Sequence, residues 1–171
     1  AVLCVASGFL LGMLSGYVTT RLFVPSFIST LAVGGIAFSI AQWLSGQRAL
    51  NMDAAQRNDT FGWMIGRSFG VPHELLIAAV LVALCLFIER RTTLGRALKA
   101  VGAGELAAAA SGLNVARYKI LAFAISGALA AIAGLMFAVK LSGGAPTIAN
   151  GFLLPAIVAV LVGGTPLTGG V

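Results

Sequence analysis

Apolar residues in this chain come in long unbroken runs separated by short polar stretches, and neither the two-residue period of a strand nor the stripe of a surface helix dominates. Five runs stand out: Ala1–Val18, Phe27–Leu44, Leu75–Ile88, Ile120–Val139 and Phe152–Val162. A helix needs about 20 apolar residues, with a range of about 17–25, to cross the hydrocarbon of a bilayer. The first, second and fourth runs reach that length. The third reaches it once Pro72, His73 and Glu74 are placed in the headgroup layer. Because lipid leaves backbone polar groups unsatisfied, runs of this kind predict helices. The fifth run reaches Gly163-Gly164-Thr165-Pro166 after about half a span; a Gly/Pro-interrupted apolar segment often marks the polar path of a transporter, and a helix that continues past a kink, or simply ends there, fits the pattern equally. The pattern thus predicts an all-α, polytopic transmembrane bundle, a fragment with about four full spans and one broken or partial span, all in a single domain over residues 1–171. The chain opens without an initiator Met in apolar sequence and closes on PLTGGV, which reads as a piece cut at both ends.

Composition agrees. Of 171 residues 59% are hydrophobic and 9% charged, against about 25% charged in soluble domains. The formal charge of +6 could suggest nucleic acid, but the basic residues fall between apolar runs and no basic stripe interleaves with aromatics. Basic loops beside membrane spans account for the charge, so no nucleic-acid partner is expected. The loops after the first and third runs hold Arg21, Arg90, Arg91, Arg96, Lys99, Arg117 and Lys119, whereas those after the second and fourth hold Arg48, Arg57, Arg67 and Lys140 beside Asp53, Asp59 and Glu74. The positive-inside rule then places the loop 89–119 in the cytoplasm. Trp43, Trp63 and Tyr118 fall at the expected interfaces. Gly8, Gly12 and Gly16 share one helix face, as do Ala130 and Gly134, a spacing that lets helices approach closely. Cys4 and Cys85 read as small apolar residues rather than a disulfide.

Residues 89–119 are the least lipid-like part of the chain. Burying Arg90, Arg91, Arg96 and Lys99 in a span would cost roughly 10–14 kcal/mol, at about 2.5–3.5 each. A first helix is predicted with Thr93 as its cap, an apolar face of Leu94, Ala97, Leu98 and Val101, and Gly102 at its end. A second, very short helix follows over Glu105–Ser111. Glu105 lies in its first turn, where the helix dipole favours a carboxylate, and Gly112 ends it. So short a helix is not stable alone in water and needs something to pack on. A docking surface, a solvated linker, and an amphipathic helix on anionic lipid all fit this pattern.

No catalytic constellation is present. There is one His, no metal-spacing cluster and no phosphate-binding Gly-Lys-Ser/Thr loop, so neither catalytic nor metal residues are assigned, and His73 beside Pro72 reads as interfacial.

Several segments resemble the permease subunit of bacterial ATP-binding-cassette importers for monosaccharides, the ribose-type group. They are VPSFISTLAVGGIAFSIAQWLSGQ (24–47), FGWMIGRSFGVP (61–72), TTLGRALKAVGAGELAAAASGLNVARYKI (92–120), ISGALAAIAGLMFAVKLSGGAPTIANGF (125–152) and AIVAVLVGGTPLTGG (156–170), in order and spacing over most of the chain. The resemblance implies a multi-pass protein of the bacterial plasma (inner) membrane whose cytoplasmic loop 89–119 carries a coupling helix. Residues Glu105, Leu106, Ala107, Ala108, Ala109, Ala110, Ser111 and Gly112 would dock on a separate ATPase subunit. Glu105 would orient the helix start, Ala107–Ala110 would fill a groove, and Gly112 would turn the chain back to the membrane. Leu106 departs from the EAA-like element at that point. Gly163, Gly164 and Thr165 would line the substrate path. The implied partners are the ATPase, a periplasmic or extracellular sugar-binding protein, a second permease copy or homologue, and the bilayer; ATP and Mg would bind the ATPase and no cofactor this chain. Gly151-Phe152-Leu153-Leu154-Pro155 stands where many sugar permeases read Gly-Tyr-Glu-Leu-Asp, so the particular sugar is not legible. A branched-chain amino-acid permease of the same superfamily is the near alternative. An ATP-independent channel or carrier is the distant one, disfavoured because ion coupling needs embedded acidic groups. A membrane-anchored interaction protein would show a long polar domain, and none is visible.

Overall fold

Each apolar run of the sequence is a helix in the computed structural model, which describes residues 1–51, 66–68, 71–144, 147 and 151–164. The order is α1 (Val2–Arg21), α2 (Ser26–Ser45), β1 (Leu50–Asn51), β2 (Arg67–Ser68), β3 (Val71–Pro72), α3 (His73–Arg91), α4 (Thr93–Ala103), α5 (Glu105–Ala110), α6 (Val115–Lys140), β4 (Gly143–Gly144) and α7 (Leu153–Val162). Among the described residues three helices, α1, α2 and α6, are long and apolar enough to cross a membrane. The fourth expected span, α3, has 19 residues, but charges crowd its ends, Glu74 in its first turn and Glu89, Arg90 and Arg91 in its last. At 10 residues α7 is a partial span, as its sequence predicts. Trp63, Arg57, Asp53 and Asp59 lie outside the described residues.

The centre of the fold is the antiparallel crossing of α1 on α6. Cβ atoms built at Gly8, Gly12 and Gly16 would stand 2.5 Å from Gly127 O, 2.2 Å from Phe123 O and 2.9 Å from Ile120 Cα, closer than the 3.0 Å that real Cβ atoms respect. Glycine is therefore required there, and the backbones touch in the way that drives helix association in lipid. The second expected small-residue face is not used in this way. A Cβ at Gly134 would meet nothing within 4 Å, and Ala130 is exposed.

Helix α2 returns beside α1. Ser15, Thr19 and Ser29 form a hydroxyl cluster between them: Ser15 Oγ and Ser29 Oγ are 3.2 Å apart, Thr19 Oγ1 hydrogen-bonds Ser29 Oγ, and Ser29 Oγ also donates to Ser15 O at 3.2 Å. Few apolar side chains are buried among the described residues, only Val33, Ala97, Val101, Ala108, Ala124 and Val139. Large apolar side chains such as Leu3, Phe27, Val80 and Phe87 lie on the outside. Apolar surface on this scale belongs against lipid or further helices rather than water.

Two ends of the bundle can be told apart. At one, β1 pairs antiparallel with β4 and joins the segments after α2 and α6, while Lys140 Nζ meets Glu74 Oε2 at 2.7 Å and ties the end of α6 to the start of α3. At the other lie the α1–α2 turn, the end of α3, and α4 and α5.

Candidate functional site

The polar segment between α3 and α6 folds as two helices held against the bundle. Thr92 rather than Thr93 caps α4: its hydroxyl accepts from Gly95 N at 3.3 Å and donates back to Ile88 O. This cap is the residue with extended backbone (φ −105°, ψ 159°), whereas Thr93 is already helical. Gly95 is forced by proximity, since a Cβ there would lie 2.2 Å from Glu89 O. Lys99 Nζ reaches Glu89 Oε1 at 2.9 Å across the same corner. That hydrogen bond, and then the Lys99 charge, hold the Glu89 carboxyl below its ordinary range. Ala97 and Val101 are buried, so the apolar face of α4 is covered by its own chain. Gly102 does not end this helix; α4 runs on to Ala103, and Gly104 follows in extended backbone at φ 179°.

Helix α5 is a six-residue excursion fixed at both ends. Glu105, in its first turn, forms an ion pair with Lys119 of α6. At the other end Gly112 takes the left-handed conformation, φ +82°. Gly112 N donates to Ala109 O at 3.0 Å and Leu113 N to Ala108 O at 3.1 Å, the paired bonds of a Schellman close. Asn114 then starts α6, its Oδ1 accepting from Arg117 N at 3.2 Å. Ser111, expected as the last helical residue, is instead the C-cap, with its hydroxyl donating to Ala107 O at 3.0 Å.

This arrangement divides the expected docking surface. Ala108 is 4% exposed and faces the protein itself, because one side of so short a helix must rest on something. Leu106, 89% exposed, stands out with Ala107, Ala109 and Ala110. The result is a small uncharged knob with one large apolar side chain. Behind it a cleft of about 440 Å³, lined by Thr19, Phe23, Pro25, Ser26, Glu105 and Lys119, separates the base of α5 from the α1–α2 turn.

The expected path residues lie elsewhere. Gly163 continues the last turn of α7 (φ −67°) and Gly164 turns left-handed (φ +80°), both exposed; Thr165 lies outside the described residues. Neither glycine borders the cleft behind α5 or the larger groove of about 480 Å³ between α1, α2 and α6. Sequence reasoning missed Lys119 as the partner of Glu105, and missed that groove. Hydroxyls recurring within apolar runs, Ser7, Ser15, Thr30 and Ser126, were the available signal for the groove they line. No group of three or more His, Cys, Asp or Glu able to hold a metal occurs among the described residues.

The chain is 40% identical over 147 residues to the probable ABC transporter permease protein YphD of Escherichia coli K12, covering 86% of this chain and 43% of that protein. It is 34% identical over 166 residues to the ribose import permease protein RbsC of the same strain, covering 96% of this chain and 52% of that one. To the K12 xylose transport system permease protein XylH it is 41% identical over 109 residues, 64% of this chain and 28% of that protein. It thus spans about half the length, or less, of the curated relatives it matches. No solved structure matches it. With three helices fit to span a bilayer, this is an integral membrane protein. A family model described as the permease component of branched-chain amino acid transport systems matches residues 1–171 from end to end, and the chain belongs to that family of transport permeases.

Proposed function

We propose that this chain is part of the membrane subunit of an ABC importer for a monosaccharide, sits in the bacterial plasma membrane, and is driven by a separate ATPase subunit that docks on α5. The observation that carries this reading is the build of α5. An ion pair at its start and a left-handed glycine at its end hold a helix too short to stand alone, and present Leu106, Ala107, Ala109 and Ala110 outward. A knob of small side chains suits insertion into a groove of a partner. Its attachment to α6 through Glu105–Lys119, and its packing on α4 and α6, give a displacement of the knob a direct route to the spans.

Sugar is favoured as cargo because RbsC and XylH are named for ribose and xylose. The family description names branched-chain amino acids, which makes that class the second reading. In this scheme ATP and Mg bind the ATPase and not this chain. A second copy or homologue completes the path, with Gly163, Gly164 and Thr165 as its lining, and an external binding protein delivers substrate at the end where β1 meets β4. Loop 89–119 is cytoplasmic.

Co-purification tests the docking. Glu105→Lys and Gly112→Val should weaken association of the full-length permease with its ATPase while the spans stay folded. Full association and transport in both variants would refute the assignment. Uptake of labelled ribose, xylose and leucine by the reconstituted complete transporter separates the two cargo classes.

A further inference from the structure

The described lysines and arginines are used differently. Each lysine is in an ion pair, Lys99 with Glu89, Lys119 with Glu105 and Lys140 with Glu74. Arg21, Arg90, Arg91, Arg96 and Arg117 are exposed, and none of the five is in an ion pair. All five lie at one end of the bundle. Arg21 is the last residue of α1 and Arg117 lies in the first turn of α6. The antiparallel contacts Gly8–Gly127, Gly12–Phe123 and Gly16–Ile120 bring those two helix ends to a similar depth. Arg90 and Arg91 close α3, and Arg96 is on α4, which the Glu89–Lys99 pair holds to that same end. Arg21 and Arg117 thus sit at ends of two helices fit to span a bilayer, with Arg90, Arg91 and Arg96 on α3 and α4 at the same end, whereas the α5 knob beside them offers no basic side chain.

We infer that these five arginines bind the phosphates of anionic phospholipid headgroups, forming a lipid-charge anchor around the base of α5. Guanidinium suits this ligand, because its fork of donors matches phosphate oxygens in pairs. The lipid reading is favoured over a protein partner because Arg21 and Arg117 close and open two candidate spans and the other three lie at that same end, while the outward residues of the knob, Leu106, Ala107, Ala109 and Ala110, are uncharged. It does not require the apolar face of α4 to enter the membrane, and that face is covered. It rests on the proposed function only in assigning this end to the cytoplasmic leaflet.

The test is lipid selectivity of the full-length permease in phosphatidylcholine vesicles, read by electron paramagnetic resonance as the relative association of spin-labelled phosphatidylglycerol against spin-labelled phosphatidylcholine. It needs neither sugar nor ATPase, so its outcome is separate from that of the transport reading. One engaged arginine corresponds to a preference of about fivefold for the anionic lipid. Glutamine at all five positions should bring the ratio to about one, and lysine at all five should keep most of it. If the glutamine variant fails to fold, 1 M salt on the unaltered protein should erase the preference, the screening length there being about 3 Å. No preference in the unaltered protein, or one that survives both salt and the glutamine variant, overturns the inference. So does a glutamine variant that loses ATPase binding in detergent while its lipid selectivity stays intact.

Discussion

Substituting Gly12 by alanine adds one methyl group at the tightest point of the α1–α6 crossing. The new Cβ would lie 2.2 Å from Phe123 O, 3.0 Å from Phe123 C and 3.1 Å from Ala124 Cα, against a floor of 3.0 Å for real Cβ contacts. The shortfall is 0.8 Å, and all three obstructing atoms are backbone, so no side chain can swing aside. The helices must part by about that distance. A gap of 0.5–1 Å forfeits roughly a quarter to a half of each dispersion contact along the seam. Overpacking of this kind costs about 1–3 kcal/mol. The matched control is Gly134→Ala on α6, where a Cβ meets nothing within 4 Å and the change should stay within about 0.5 kcal/mol. Equilibrium unfolding of the full-length protein in bicelles, by steric trapping, reads both. Equal stability of Gly12→Ala and the unaltered protein would refute the close-contact account of this crossing, and a large loss in Gly134→Ala would show the wrong face had been identified.

Other perturbations test the remaining contacts. Gly95→Leu, which places a Cβ 2.2 Å from Glu89 O, should break the α3–α4 corner, part the half-exposed Lys99 from Glu89, and raise its rate of modification by a water-soluble amine reagent. Ser29→Ala removes the hub of the α1–α2 hydroxyl cluster and should cost about 0.6 kcal/mol, at most about 1.7, in the same unfolding assay. Glu105→Lys paired with Lys119→Glu should restore part of the ATPase association that Glu105→Lys alone loses. The direct stability effect of this half-exposed pair should stay at about 0.2–1 kcal/mol.

The spans were legible because lipid demands long apolar helices, a constraint that depends little on tertiary detail. The short helix α5 and its glycine stop were legible for a local reason: a left-handed C′ position favours glycine whatever surrounds it, and Gly112 occupies it at φ +82°. Readings that depended on neighbours fared differently. Thr92 and Thr93 can both cap, and only the path of α3 into α4 selects Thr92. Gly102 could have ended α4, but Val101 is buried against the bundle and the helix continues past it. The four alanines look alike in sequence; only the packing of α5 on its own chain, with Glu105 paired to Lys119, shows that Ala108 turns inward and Leu106 out. Gly134 has the spacing of a packing motif without a partner among the described residues, since period alone does not say which helix lies opposite.

The most direct test of α5 as a docking knob is ATPase protection of Leu106→Cys, in full-length protein whose native cysteines, Cys4 and Cys85 among them, are replaced, using a membrane-impermeant maleimide. The account predicts labelling in inside-out vesicles, none in intact cells, and at least about tenfold slower labelling once the ATPase subunit is bound. Labelling from the outside of intact cells, or a rate that bound ATPase leaves unchanged, would contradict it.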